Sequence, residues 1–242
     1  MRRLWAVWVA GALALLPAGC AAAPLAPSPA SAVSTTAAAR ATQRVSPSAT
    51  RTPAASGSAL AAARQLPVKG RAPMTGYTRR MFGDGWVDTD HNGCDTRNDI
   101  LARDLTGAAF RPGTHRCIVV SGTLVDPYTR TTIHFVRGLR TSTQVQIDHV
   151  VALGDAWQTG AQRWPTARRV AFANDPLNLL AVGGRVNQQK GDGDAATWLP
   201  PNKAFRCDYI ARQVAVKRKY GLWVTAAEKA AMLRVLTACP GR

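Results

Sequence analysis

Hydrophobic and polar positions alternate along the C-terminal two thirds of the chain with periods that define its elements. Asn98 to Leu105 (NDILARDL) carries apolar residues at Ile100, Leu101 and Leu105, which predicts a short helix ended by Gly107. Cys117 to Val125 (CIVVSGTLV) is rich in β-branched residues and stops at the turn pair Asp126-Pro127. Thr131 to Val136 alternates like a half-buried strand, and Val145 to Val151 (VQIDHVV) is a third strand-like run. Ala152 to Gln162 and Thr166 to Ala173 read as helices separated by Trp164-Pro165. A short apolar strand, Leu177 to Val182, then leads through Gly183-Gly184 into a polar helix, Arg185 to Lys190. Two helices close the chain, Ala204 to Tyr220 and Ala226 to Ala238, the second after Thr225, whose spacing to Glu228 forms a capping box. No internal repeat occurs, and the mixture predicts an α+β fold.

The N-terminus follows a different pattern. Met1-Arg2-Arg3 precedes an uncharged run, Leu4 to Leu16, too short for a membrane-spanning helix, which needs about 20 apolar residues. With the small residues that follow, this predicts a secretory signal peptide over residues 1–20. Ala18-Gly19-Cys20 resembles a bacterial lipobox, which implies lipidation at Cys20 and a membrane tether; Pro17 departs from that pattern. Residues 21–70 are mostly Ala, Pro, Ser and Thr without a single acid, which predicts a disordered spacer. The folded domain is then expected at 71–242, exported to the cell envelope or beyond.

Charge and cysteines narrow the partner and the compartment. All 14 acidic residues lie between Asp84 and Glu228, against 24 of the 31 Lys and Arg from Arg71 onward. Such a surplus favours a polyanionic partner, namely nucleic acid, an anionic envelope polymer or a membrane surface. Beyond Cys20 the chain has Cys94, Cys117, Cys207 and Cys239, an even count that in an exported protein implies two disulfides. Of three pairings, the local one, Cys94–Cys117 with Cys207–Cys239, staples each end of the domain. No two of these cysteines stand at C-x₂₋₄-C spacing, which argues against a zinc site.

The chemistry concentrates in three pieces: IDHVVAL with Asp148 and His149, NDPLNLLAV with Asn178, and NQQKGD with Asn187 and Lys190. A strand, a second strand and a helix bearing these residues in this order resemble the HNH (ββα-metal) nuclease motif. From Trp86 to Cys239 the chain is similar to secreted actinobacterial-type HNH proteins, which are related to the nuclease domain of the Gmr-type modification-dependent restriction enzymes; DTRNDIL, DHVVALGDAW and FANDPLNLL belong to the same likeness.

That resemblance implies a ββα-metal core with added helices, braced by disulfides, and phosphodiester hydrolysis of DNA or RNA. It makes His149 the general base, a role suited to a neutral imidazole at physiological pH. Asn178, the middle residue of the motif, would fix the loop around His149. Asp148 and Asn187 would supply hard oxygen ligands to one divalent metal, with Mg²⁺ favoured and Mn²⁺ or another divalent ion as alternatives. A helix presents Asn187 and Lys190 on one face, so Lys190 becomes a candidate phosphate contact, as does Arg97. Neighbours on a strand point to opposite faces, so Asp148-His149 is expected where the strand ends and bends. His91, His115 and His134 lack the surrounding pattern.

Two other readings compete. Asp88 to Asp99 (DTDHNGCDTRND) opens like an EF-hand calcium loop, although its last position is Asp rather than Glu and Cys94 interrupts it. The alternative to an enzyme is a non-catalytic cationic module, binding envelope polymer or nucleic acid on a degenerate HNH scaffold. Filled base and ligand positions favour the enzyme. No obligate protein partner is indicated.

Overall fold

A computed structural model describes residues 54–239. The signal peptide, Cys20 and most of the expected spacer lie outside the described residues. Seven α-helices are described: α1 (Ala54–Gln65), α2 (Thr96–Asp104), α3 (Leu153–Gln158), α4 (Thr166–Ala173), α5 (Gly184–Lys190), α6 (Arg206–Tyr220) and α7 (Ala226–Thr237). Five strands accompany them: β1 (Thr106–Phe110), β2 (Val119–Val125), β3 (Thr132–Val136), β4 (Val145–His149) and β5 (Leu179–Gly183). β1, β2 and β3 form an antiparallel sheet in that order, and β4 and β5 form a separate antiparallel pair.

The spacer expectation ends too late. Within residues 21–70 the chain forms α1, whose Ala59, Ala62, Ala63 and the following Leu66 are buried against α6 and α7. Alanine is the best helix former, and a face of small side chains lets three helices approach closely. Composition alone counts such alanines as spacer. After α1, Val68 bridges Val224, and the Trp223 indole donates to the Gly70 carbonyl at 3.0 Å. The domain therefore includes residues before 71.

Three apolar clusters hold the fold. One joins α1, α6 and α7 around Tyr209, Ile210, Val214 and Met232. A second packs Phe82, Leu153, Trp157, Phe172 and Leu222. The third sets Ile100 and Leu101 of α2 against the three-stranded sheet and the β4–β5 pair. Disulfides Cys94–Cys117 and Cys207–Cys239 close the two ends in the local pairing.

Two local expectations change. Gly107, read as a helix stop, lies within β1; its φ of +62° accompanies a register shift against β2. The Thr225 hydroxyl does cap Glu228 N–H, at 3.1 Å, but the Glu228 carboxylate does not return to the cap. It turns inward to Lys217, whose ammonium sits 2.8 Å from both Glu228 Oε1 and Asp155 Oδ2. All three side chains are essentially inaccessible to solvent.

Candidate active site

β4 pairs with β5 in register, with Asp148 opposite Leu180 and His149 opposite Leu179. β4 ends at His149, and the chain bends through Val150–Val151 before α3. Asn178, fully buried just before β5, holds that bend from behind. Its Oδ1 accepts from Val151 N–H at 2.8 Å, its amide donates to the Val151 carbonyl at 3.2 Å, and its own carbonyl accepts from Val150 N–H at 2.8 Å. α5 then follows β5 directly. A Cβ on Gly184 would stand 2.0 Å from the Thr143 carbonyl, so glycine is what seats α5 against the turn before β4.

This frame gathers Asp148, His149, Arg97 and Asn187 around one cleft of about 410 Å³, together with Arg79, Trp86, Gln146 and Asp192. A neighbouring cavity of about 380 Å³ shares Arg79, Trp86, His149 and Leu153 with it. His149 thus stands where the two meet.

The imidazole is fixed on two sides. Its Nε2 lies 2.8 Å from the Ala173 carbonyl, and its ring stacks on Trp86 with centroids 5.7 Å apart. A carbonyl only accepts, so Nε2 carries the hydrogen and Nδ1 keeps the lone pair. Burial, reinforced by the positive charge of Arg79, pushes the His149 pKa down to about 3. The ring is therefore a neutral acceptor throughout the physiological range.

Asp148 is buried. Lys190 Nζ donates to its Oδ1 at 2.8 Å, and the Tyr128 hydroxyl donates to its Oδ2 at 2.5 Å. Burial raises its pKa, against the pull of Lys190. Lys190 also donates to the His149 carbonyl at 2.7 Å, and its side chain is wholly inaccessible. Lys190, expected as a phosphate contact, is thus engaged on Asp148 and the end of β4 and is not presented to solvent. Arg97 remains at the cleft wall, donating weakly to the Ser142 and Val145 carbonyls, with burial and Arg137 lowering its pKa.

Asn187 donates its amide to Gln146 Oε1 at 3.0 Å, which settles the rotamer and leaves Oδ1 as an acceptor. A carboxylate has about four lone-pair positions and Asp148 uses two. The donor set offered by Asp148 and Asn187 is therefore hard oxygen, with capacity left for Mg²⁺ or a similar ion. Another acidic group, Asp155, Asp194 and Glu228, has ligand atoms within 4.8 Å of one another, but each of the three is already paired with Lys217 or Arg71. In the Asp88–Asp99 loop, Asp88 accepts from the Asn92 and Gly93 N–H groups, and Asn92 donates to Asp90 and Asp99.

Sequence reasoning missed Tyr128, Trp86, Arg79 and Gln146. Tyr128 sits in what reads as a plain turn after Asp126-Pro127. Trp86 and Arg79 precede the motif by some sixty residues or more, and only the fold brings them to His149.

Residues 95–235 match the sequence family described as GmrSD restriction endonucleases, C-terminal domain. The chain belongs to this nuclease family. It is also 38% identical over 176 residues to a protein of Arthroderma benhamiae called an uncharacterized secreted protein, covering 72% of this chain and 81% of that one. No solved structure matches the chain.

Proposed function

We propose that the chain is an exported, metal-dependent endonuclease of the HNH type, hydrolysing phosphodiester bonds of DNA, with RNA as the alternative substrate. The observation that carries this reading is the state of His149: one ring nitrogen is tied to the Ala173 carbonyl, and the other is a free lone pair beside Asp148 and Asn187. The family supports the substrate class, and the secreted relative together with the leader-like N-terminus supports export.

β4, β5 and α5 then act as the ββα unit. Asp148 and Asn187 would hold one divalent ion, which when bound relieves charge on the phosphate and on the departing 3′ oxygen. His149 Nδ1 takes a proton from a water as the water oxygen attacks phosphorus and the bond to the 3′ oxygen breaks. Trp86 and the Ala173 carbonyl keep the imidazole aimed, and Lys190 and Tyr128 keep Asp148 aimed. Asn178 holds the bend that places both. Salt and ordering effects aside, the chemistry needs nothing from the remaining histidines.

The test is plasmid cleavage by the whole chain with Mg²⁺, Mn²⁺ or EDTA, repeated with His149→Ala. Cleavage should require the divalent ion and fall by about 10²–10⁴-fold in the variant, the usual contribution of a general base, while DNA binding persists. A variant that cuts at the wild-type rate removes His149 from the mechanism. A wild type that fails to cleave with every divalent ion tested removes the enzyme reading.

A further inference from the structure

Arg79 stands apart from the other cations of this region. It lines both cavities that meet at His149, and its charge is felt by His149, Asp148 and Tyr77. Yet it makes no hydrogen bond or ion pair to any described residue. Its neighbours are engaged: Arg80 faces Asp84 at 3.5 Å, Arg97 donates to two carbonyls, and Lys190 is locked on Asp148.

Its backbone, by contrast, is firmly placed. Arg79 opens the 3₁₀ turn Arg79–Phe82, in which Phe82 is buried against Phe172 and Trp157. The buried Arg169 guanidinium donates to the Met81 carbonyl at 2.6 Å. Gly83, at φ +101°, passes so close to Val170 that a Cβ would meet its side chain at 3.2 Å. Farther on, Val87 N–H donates to Asn174 Oδ1 and its carbonyl accepts from Thr96 N–H. The held backbone leaves only the exposed, unpaired side chain to be ordered when an anion binds. Arg79 also lies before residues 95–235, outside the family-matched part.

We infer that Arg79 is the phosphate-binding residue of this cleft, receiving a substrate phosphodiester beside His149. The inference rests on the nuclease reading for its substrate, but its test does not depend on cleavage. A guanidinium offers a planar fork of donors that fits two phosphate oxygens at once. An anion there would also cancel the field that Arg79 exerts on the imidazole.

The experiment compares the whole chain carrying Arg79→Gln, Arg79→Lys or Arg234→Gln, the last an exposed arginine on α7 that lines neither cavity. DNA binding is titrated in EDTA across about 50 to 200 mM salt. Arg79→Gln should lower the slope of log K against log salt by about one, Arg79→Lys should keep the slope, and Arg234→Gln should leave it unchanged. With divalent ion present, Arg79→Gln should lower kcat/KM roughly 10- to 100-fold, as expected for losing a charged hydrogen bond, and thermal midpoints should match. A wild-type slope in Arg79→Gln overturns the inference even if the protein cleaves DNA. A wild type without salt-dependent DNA binding overturns it too. A lowered slope in a chain that never cleaves supports Arg79 while sinking the nuclease reading alone.

Discussion

Replacing Lys217 with Met should be the most damaging single change outside the cleft. Its ammonium sits 2.8 Å from Asp155 and from Glu228, at zero side-chain exposure. Burial lowers the Lys217 pKa, but the two carboxylates outweigh it and the net shift is upward. Removing the cation leaves two buried carboxylates facing one another, and breaking a buried pair in this way costs about 3–5 kcal/mol. For a domain of this size that corresponds to a midpoint fall of roughly 6–20 °C.

The loss should depend on pH with a definite sign. Burial lifts the Glu228 pKa to about 7 from its usual 4.5, against the opposing pull of Lys217. A carboxyl raised on folding contributes stability in full below its unfolded pKa and loses it as pH climbs through the folded value. From 4.5 to about 7, this swing is about 3 kcal/mol in the wild type. Without Lys217 the carboxyl rises further, so the variant should suffer least near pH 5 and most near pH 8.5. Thermal unfolding followed by circular dichroism at both pH values measures this, and adding Glu228→Gln should flatten the pH dependence. A cost below about 1 kcal/mol at pH 8.5, or an equal cost at both pH values, refutes the reasoning.

Two further outcomes follow from the frame of the site. Gly184→Ala should push α5 off the Thr143 carbonyl, cost about 1–3 kcal/mol as overpacking does, and weaken Mn²⁺ binding because Asn187, the proposed ligand, rides on that helix; a wild-type Mn²⁺ titration would contradict this. Replacing Cys207 and Cys239 together with Ser opens a 32-residue separation, for which chain entropy gives about 3–4 kcal/mol, and chemical denaturation should show that loss with cleavage per folded molecule unchanged.

The sequence made the local elements readable where periodicity was strong. Thr166–Ala173 forms α4 at the expected bounds, and β3, β4 and α5 fall within a residue or two of expectation. Asn178 is singled out by the resemblance to the HNH motif and not by periodicity, since it lies inside the expected strand Leu177 to Val182. The buried pairing of Lys190 was not legible, because three-residue helical spacing to Asn187 says which side of a helix it occupies, not what lies opposite. There, the Lys190 ammonium forms a buried ion pair with Asp148 and donates to the His149 carbonyl, contacts that no linear pattern encodes. Glu228 shows the same limit: its spacing suits a cap, but the stronger attraction is a cation on a neighbouring helix.

α1 has a consequence for how the domain is assembled. Its small apolar face fills a groove on α6 and α7, and the chain between Leu66 and the later elements runs along the surface, tied by Val68, Gly70 and the Arg71–Asp194 ion pair at 2.7 Å. In thermodynamic terms the helix is a tethered ligand. Its occupancy of the groove is set by an effective concentration of millimolar order, not by the bulk concentration of protein. A cut by a trypsin-like protease after Lys69 would turn that intramolecular equilibrium into a bimolecular one. The groove would then empty on dilution, exposing the faces of α6 and α7 that Ala59, Ala62, Ala63 and Leu66 had covered, and the remainder would survive only as long as the freed helix, or another like it, was supplied by mass action.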